Sequence, residues 1–190
     1  MSVLLRASEL EGRSIVTFAG ESPAEVKDVI FDSLNGSLLG VTLRGHGLFS
    51  RHRKDILPWS SIHSIGRDAV MIRDEDAFQG EDALPAEGVP DKRNVLGNQV
   101  LTDSGTDVGR VVDVIIEAGA RAEIVGYEVE ASEALATRGE HGLIPLPDTI
   151  AVSGEHLIVP AGALEFVGND LSGFGAAVEA FREKLRQGAR

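Results

Sequence analysis

Five histidines are the side chains that could most readily bind a transition metal in this 190-residue chain, because it contains no cysteine. They are His46, His52, His63, His141 and His156. His46 and His52 share one loop, but no pair of carboxylates accompanies them at the spacing of a metal-ligand set. The sequence therefore predicts no metal site and no cofactor. The absence of cysteine also excludes disulfides and thiol nucleophiles.

Two carboxylates occupy similar surroundings in the two halves of the chain. Asp28 and Asp113 are each flanked by apolar residues. They could form an acid–base pair, but we favour carboxylates that accept hydrogen bonds from the amides of a turn. The Gly-x-x-x-Gly of Gly105–Gly109 is typical of a turn that enters a strand. Phosphate-binding, metalloprotease and serine-hydrolase motifs are missing from the sequence, so we expect a protein that is not an enzyme.

One loop in the first half combines cations with large apolar side chains. It lies between Arg44 and Lys54, with Leu48 and Phe49 in its middle. Exposed apolar side chains usually mark a contact, so this is our candidate protein-binding loop. Its residues are Arg44, Leu48, Phe49, Arg51, Arg53 and Lys54. In the alternative reading, the two apolar residues fold back over one end of a barrel and the cations only keep the loop solvated.

Short alternating runs predict the elements that must position these side chains. Apolar residues alternate with polar or small ones over Leu39–Arg44 and Val125–Glu130, which indicates strands with one buried face. Turn residues follow at short intervals. Several short strands with regular turns predict an all-β fold, and closure into small barrels would remove exposed sheet edges.

The two halves of the chain follow one plan. Shifted by 85 positions, residues 10–32 align with residues 95–117 without a gap, and two single-residue insertions extend the match. The aligned pairs include Gly12 with Gly97, Asp28 with Asp113, Ile30 with Ile115, Leu39 with Val125, Gly40 with Gly126 and Ile56 with Leu143. A match in this order indicates two copies of one supersecondary unit.

Five segments of the first half carry a family resemblance. They are Leu10–Val16, Val26–Asp32, Leu39–Gly45, Ile56–Ile62 and Ile65–Ile72. With its Val-Lys-Asp-Val, Pro-Trp and Ile-Gly-Arg-Asp-Ala-Val signatures, this series resembles the PRC-barrel family. That family is named after the photosynthetic reaction-centre H subunit and includes the C-terminal domain of a ribosome-maturation factor. The resemblance covers residues 5–76, and residues 94–168 look like a divergent second copy. It implies small, strongly bent β-barrels with docking and assembly roles, and it supplies no catalytic residues.

Charge and composition divide the chain further. Its net charge is −12, and residues 74–91 hold seven acidic and no basic residues together with proline and glycine. This composition is typical of an extended linker, with an acidic lure for a basic partner as the alternative. We predict two tandem PRC-barrel-like domains, over residues 1–78 and 94–170, an acidic linker over 79–93 and a C-terminal amphipathic helix over 171–190.

The C-terminal segment has helical periodicity. Ser172 is a credible cap, and Gly188 follows the last turn. An apolar stripe recurs at spacings of three and four residues. The stripe consists of Leu171, Phe174, Val178, Phe181 and Leu185. We favour a strut packed on the second barrel, with a homodimer seam and a membrane-surface helix as alternatives. The acidic body counts against the membrane-surface reading, because anionic lipids would repel it.

Composition narrows the function classes. The acidic surplus argues against direct nucleic-acid binding, and scarce aromatics offer little stacking surface. No apolar run reaches membrane-spanning length and no signal peptide is evident, so we expect a cytoplasmic protein. We predict a non-enzymatic adaptor or assembly factor that binds a protein partner. The alternatives are a ribosome-biogenesis factor that contacts a ribosomal protein or RNA, and a small-molecule-binding barrel.

The histidines generate the first testable prediction. Protein exposed to zinc and then dialysed should retain no stoichiometric metal, because no third or fourth ligand completes a site around His46 and His52. Elemental analysis of the dialysed protein measures the retained zinc. Retention of stoichiometric zinc would contradict the prediction.

Overall fold

The computed structural model describes residues 3–32, 36–45, 55–83, 95–133, 141–146, 151–152 and 156–188. These residues are mostly in β-strands, followed by one C-terminal helix. The elements are β1 Val3–Arg6, β2 Ser14–Thr17, β3 Ala24–Asp32, β4 Ser37–Gly45, β5 Asp55–Pro58, β6 Ser64–Ile65, β7 Ala69–Ile72, β8 Gln79–Gly80, β9 Gln99–Thr102, β10 Asp107–Ala118, β11 Ala122–Ala131, β12 His141–Pro145, β13 Ala151–Val152, β14 His156–Val159 and α1 Leu171–Gly188.

The chain divides into two compact units, and each unit includes a segment from the other half of the sequence. The first unit comprises Ala7–Lys92 and Ala118–Glu123. The second comprises Ser2–Arg6, Arg93–Glu117 and Ile124–Arg190. The first strand of the chain therefore belongs to the second unit.

The sheet of the first unit is built around the β3–β4 hairpin. Its strand order is β8-β5-β4-β3-β2-β7-β6, with β2 and β7 parallel and the other neighbours antiparallel. The alternation predicted over Leu39–Arg44 lies within β4, where Val41 and Leu43 are buried. Strand β3 pairs with β4 along its whole length, from Ala24 to Asp32. The register shifts twice along this pairing, which is how a long strand bends and twists.

One glycine allows β4 and β5 to approach each other closely. A Cβ atom on Gly40 would lie 2.4 Å from the carbonyl oxygen of Leu57, so no larger residue fits there without movement of the backbone. Trp59 follows β5 and is buried, and its indole Nε1 donates to the carbonyl oxygen of Gly119 at 3.3 Å. Gly119 lies between β10 and β11, in the segment that the second half contributes to the first unit.

The sheet of the second unit uses the same pairings in the same order. Its strand order is β12-β11-β10-β9-β14-β13, with β9 and β14 parallel as β2 and β7 are. Gly126 pairs with Pro145 as Gly40 pairs with Pro58. Two differences lie in what is added, because β8 extends the first sheet beyond β5 and β1 also pairs with β10 in the second.

The predicted closure into two barrels is not found. In the described part of the chain, β8 does not pair with β6, and β12 does not pair with β13. Of the four strands at the sheet ends, β6, β8 and β13 are each two residues long and β12 is five residues long. Very short edge strands expose few unpaired backbone groups, so an open sheet carries little of the edge hazard that closure would remove.

The predicted C-terminal helix is present as α1 and packs against the sheet of its own unit. Of the apolar stripe, Phe174, Val178 and Phe181 are buried, whereas Leu171 and Leu185 are half-buried. Phe174 and Val178 form one core cluster with three sheet residues, which are Ile115, Val125 and Leu143. The Phe174 ring lies over the backbone of Gly126, where a Cβ atom would approach it to 2.5 Å.

The helix cap differs from the one expected from the sequence. Asp170, not Ser172, caps α1, because its Oδ1 accepts a hydrogen bond from the backbone N–H of Gly173 at 3.1 Å. Ser172 lies within the first turn and donates its hydroxyl to the same carboxylate. The Ser172 and Gly173 hydrogen bonds lower the pKa of Asp170 below its ordinary value. Gly188 is the last residue of the helix rather than the residue after it.

Replacement of the helix anchor should destabilise the second unit. Phe174→Ala is expected to lower the free energy of unfolding by about 3–5 kcal/mol, because the ring is fully buried and its loss leaves a cavity. Glu179→Ala, on the exposed face, is the matched control and should cost less than about 1 kcal/mol. Deletion of residues 171–190 should also destabilise this unit. Urea unfolding measures all three, and an unchanged midpoint for Phe174→Ala would contradict this account.

Candidate functional site

Arg44 is the one residue of the candidate protein-binding loop that lies among the described residues. It stands near the end of β4 opposite Glu25 of β3, and its Nη1 donates to Glu25 Oε1 at 3.0 Å. The Arg44 side chain is 63% exposed, so this ion pair contributes at most about 1 kcal/mol. The guanidinium is therefore oriented by Glu25 and still open to solvent where the loop begins.

The other five residues of the loop lie outside the described residues. They are Leu48, Phe49, Arg51, Arg53 and Lys54. The described chain stops at Gly45 and resumes at Asp55, the first residue of β5. Thr42 of β4 pairs with Ile56 of β5, so the loop leaves and re-enters the same sheet.

The same hairpin carries a second surface, which sequence reasoning missed. Val26 of β3 makes two backbone hydrogen bonds with the segment that precedes β2. Its carbonyl oxygen accepts from the N–H of Gly12, and its N–H donates to the carbonyl oxygen of Arg13, both at 2.9 Å. Beyond Val26, in the described chain, β3 pairs only with β4. We call the other side of β3, from Asp28 to Asp32, the β3 edge. The run Val29–Phe31, apolar at consecutive positions rather than alternating, was the sequence signal for it.

The aligned carboxylates Asp28 and Asp113 accept hydrogen bonds from backbone amides of strands, not of turns. Asp28 Oδ1 accepts a hydrogen bond from the backbone N–H of Val29 at 2.8 Å, and Asp113 Oδ1 accepts the equivalent bond from Val114 at 2.8 Å. Both residues lie inside long strands, so the expectation of a turn amide was wrong about the element. Asp28 is exposed, whereas Asp113 is buried.

The described histidines lie in separate surroundings. His63 packs edge-on against the ring of Phe18, with a centroid separation of 4.8 Å. His141 Nδ1 lies 3.6 Å from Glu128 Oε1, and His156 is in β14. Within the described ranges, no three His, Asp or Glu side chains lie together as a metal-ligand set. The two loop histidines fall outside those ranges.

The second unit has a shallow groove among its described residues. It encloses about 460 Å³ beside α1, and its walls are mainly apolar. It is lined by Pro160, Gly162, Phe181, Lys184, Leu185 and Gly188. The only charged lining group, the Lys184 ammonium, is 2.7 Å from the Glu165 carboxylate and 5.5 Å from the centre of the Phe166 ring. Because that ammonium is already paired, the groove offers no free charged group to orient a ligand.

Among the described helices, none combines the length and the apolar character that crossing a bilayer requires. The charged and polar face of α1 includes Arg182, Glu183 and Lys184, which accounts for this in the one long helix.

Comparison with known families identifies the first half. Residues 3–78 match the family model of the PRC-barrel domain, so the resemblance expected for this half is confirmed. The match ends before the second half of the chain. No curated protein was found to be similar to this chain.

One titratable group with a perturbed pKa is a core residue of the second unit. Burial raises the pKa of Tyr127 to about 12. Tyr127 lies on β11 opposite Ile144, at the place where β4 carries Val41. The perturbation therefore reflects packing, and it gives no sign of a catalytic site.

Because Tyr127 is the only tyrosine in the chain, its ionisation can be followed directly by absorbance. An unfolded tyrosine ionises near pH 10, so between pH 10 and about 12 the unfolded state loses its proton first. Stability should therefore fall with pH over that window, by up to about 2–3 kcal/mol. Tyr127→Phe should remove this dependence. A tyrosinate signal that appears near pH 10 while the protein remains folded would contradict the prediction.

Proposed function

We propose that the protein is a non-enzymatic adaptor or assembly factor that binds another protein through the first half of the chain. The observation that carries the proposal is the position of Arg44, which is exposed at the start of the loop within the segment that matches the PRC-barrel domain. The family resemblance supplies docking and assembly as the expected roles. Apolar anchors among cations suit an acidic partner surface with a hydrophobic notch.

We further propose that the second half is a diverged copy of the first that serves mainly to support it. The shared pairings support this reading, including parallel β2–β7 and β9–β14 and the close approach at Gly40 and Gly126. Residues 131–142, which stand in place of the first loop, lack its paired apolar residues between cations. Partner binding through the loop is therefore assigned to the first half alone.

The loop can be tested with two sets of variants. Leu48→Ala with Phe49→Ala should abolish capture of the partner, because the anchors supply most of the affinity. Replacement of Arg51, Arg53 and Lys54 by Ser should slow association and flatten its salt dependence, because those charges steer approach. Phe18→Ala removes a 56% exposed aromatic outside the loop and serves as the matched control.

The measurement is a pull-down with the wild-type and variant proteins, followed by association kinetics at several salt concentrations with the protein so identified. A double variant that unfolds would show that Leu48 and Phe49 are core residues. A folded double variant that still captures the partner would also overturn the proposal. Recovery of RNA with steep salt dependence would instead favour a ribosome-biogenesis factor.

A further inference from the structure

The second unit shows what covers the strand that corresponds to β3. There, β1 pairs with β10, and Leu4 of β1 packs against the core cluster that contains Ile115. Leu5 of the same strand is buried, and the Arg6 guanidinium pairs with the Glu128 carboxylate on β11. A four-residue extended segment from elsewhere in the chain thus completes this edge with backbone pairing, apolar contacts and one ion pair.

The β3 edge begins at the equivalent point in the first unit. Val111 of β10 exchanges backbone hydrogen bonds with Gly97 and Asn98, as Val26 of β3 does with Gly12 and Arg13. In the second unit, β1 pairs with β10, and Leu4 of β1 packs against the cluster that contains Ile115, four residues beyond Val111. In the first unit, no strand of the described residues occupies the corresponding edge.

Burial differs accordingly between the aligned side chains. Val114, Ile115 and Ile116 of β10 are at most 2% exposed. Their counterparts in β3, Val29–Phe31, are all half-buried. Three adjacent apolar residues on a strand edge that no described strand covers are a template for one more strand.

The surroundings of the aligned glycines Gly40 and Gly126 also differ between the two units. A Cβ atom on Gly126 would touch the Phe174 ring, whereas the three atoms nearest to a Cβ on Gly40 all belong to the backbone of Leu57 and Pro58. Beside Gly40, Leu39 is half-buried, although the aligned Val125 is 1% exposed. The face next to the β3 edge is thus less covered than its counterpart.

We propose that the β3 edge binds an extended segment of another protein, with alternating apolar residues and one basic residue, as an added β-strand. This inference rests on the proposed protein-binding function but uses a surface distinct from the loop. Backbone pairing with β3 would supply affinity, and Ile30 with its neighbours would select apolar side chains at alternate positions.

The charge of the edge specifies the basic residue and disfavours a second copy of this chain. Thr42 aligns with Glu128, the partner of Arg6, and the register partner of Thr42 is the exposed Asp28. The Asp28 carboxylate is therefore available to a basic residue of the bound segment that corresponds to Arg6 of β1. Antiparallel pairing of two β3 edges about Ile30 would set Asp32, and not a basic residue, opposite Asp28 of the other copy.

The test uses the full-length protein and a labelled synthetic peptide with the sequence of residues 2–8, Ser-Val-Leu-Leu-Arg-Ala-Ser. Ile30→Lys should weaken peptide binding about tenfold or more, because it removes an apolar contact and repels the arginine. Phe18→Lys also places a lysine where an apolar side chain stood, at a site that is 56% exposed and outside the β3 edge, and should leave binding unchanged. A peptide with glutamate in place of arginine should also bind more weakly.

The outcomes separate this inference from the loop proposal. Peptide binding should persist in the Leu48→Ala, Phe49→Ala variant, whatever that variant does to partner capture. Equal peptide binding by Ile30→Lys and wild type would place the peptide elsewhere and overturn the inference. Wild-type self-association that Ile30→Lys abolishes would assign the edge to a second copy and would also overturn it.

Hydrogen exchange on the wild-type protein provides a measurement that does not depend on the folding of Ile30→Lys. Without peptide, residues 28–32 should exchange faster than residues 113–117, and saturating peptide should slow the first segment only. If residues 28–32 are already as protected as residues 113–117, the edge is closed within the chain itself and the inference fails.

Discussion

The demand of a strand edge for hydrogen-bond partners is the constraint on which the rest of this structure depends. Each half has a long strand with one side committed to a hairpin partner and the other side only partly paired. In β10, β1 pairs with the strand as well, and Val114, Ile115 and Ile116 are at most 2% exposed. The helix α1, the Arg6–Glu128 ion pair and the buried Asp113 all occur around that completed edge. In β3, which pairs beyond Val26 with no described strand other than β4, Val29–Phe31 are half-buried.

Close backbone approach is the second constraint, and it explains why glycine stands at the same place in both halves. Gly40 and Gly126 each face a carbonyl oxygen of the neighbouring strand at a distance that no Cβ atom tolerates. The absence of a side chain in β11 also leaves room for the Phe174 ring. A single residue choice therefore serves both the packing of two strands and the seating of the helix. In β4, the three atoms nearest to a Cβ on Gly40 all belong to the backbone of β5.

Much of the secondary structure could be predicted from the sequence, and the reasons are local. The alternation over Leu39–Arg44 and the three-and-four spacing of the C-terminal stripe report the periods of a strand and a helix directly. The position of Asp170 as the cap was missed, because Ser172 is an equally good capping residue by type and only the geometry of Gly173 decides between them. The open sheets were missed because strand closure depends on long-range pairing, which no local pattern encodes.

The candidate site was predicted less completely than the fold. The composition of the loop drew attention to Arg44, whose exposure depends on its position near the end of β4. The β3 edge was missed because its three apolar residues are compatible with a fully buried strand. Whether such residues are covered depends on pairing with a distant segment, as the 122-residue separation of Arg6 and Glu128 illustrates for the other half. Sequence alignment of the halves could pair Ile30 with Ile115, but it could not show that β1 covers Ile115 whereas no described strand covers the β3 edge at Ile30.

The membership of β1 in the second unit also has a consequence for the order in which the protein acquires its structure. During synthesis, Val3–Arg6 emerges first, yet the strand it pairs with begins at Asp107 and its ionic partner is Glu128. Strand β1 therefore stays unpaired until β10 and β11 have been translated. Contacts of such long sequence separation form late, because loop closure must precede them. The completion of the β10 edge is thus a late event of folding, and the unfinished chain exposes the edge of β10 that β1 later covers.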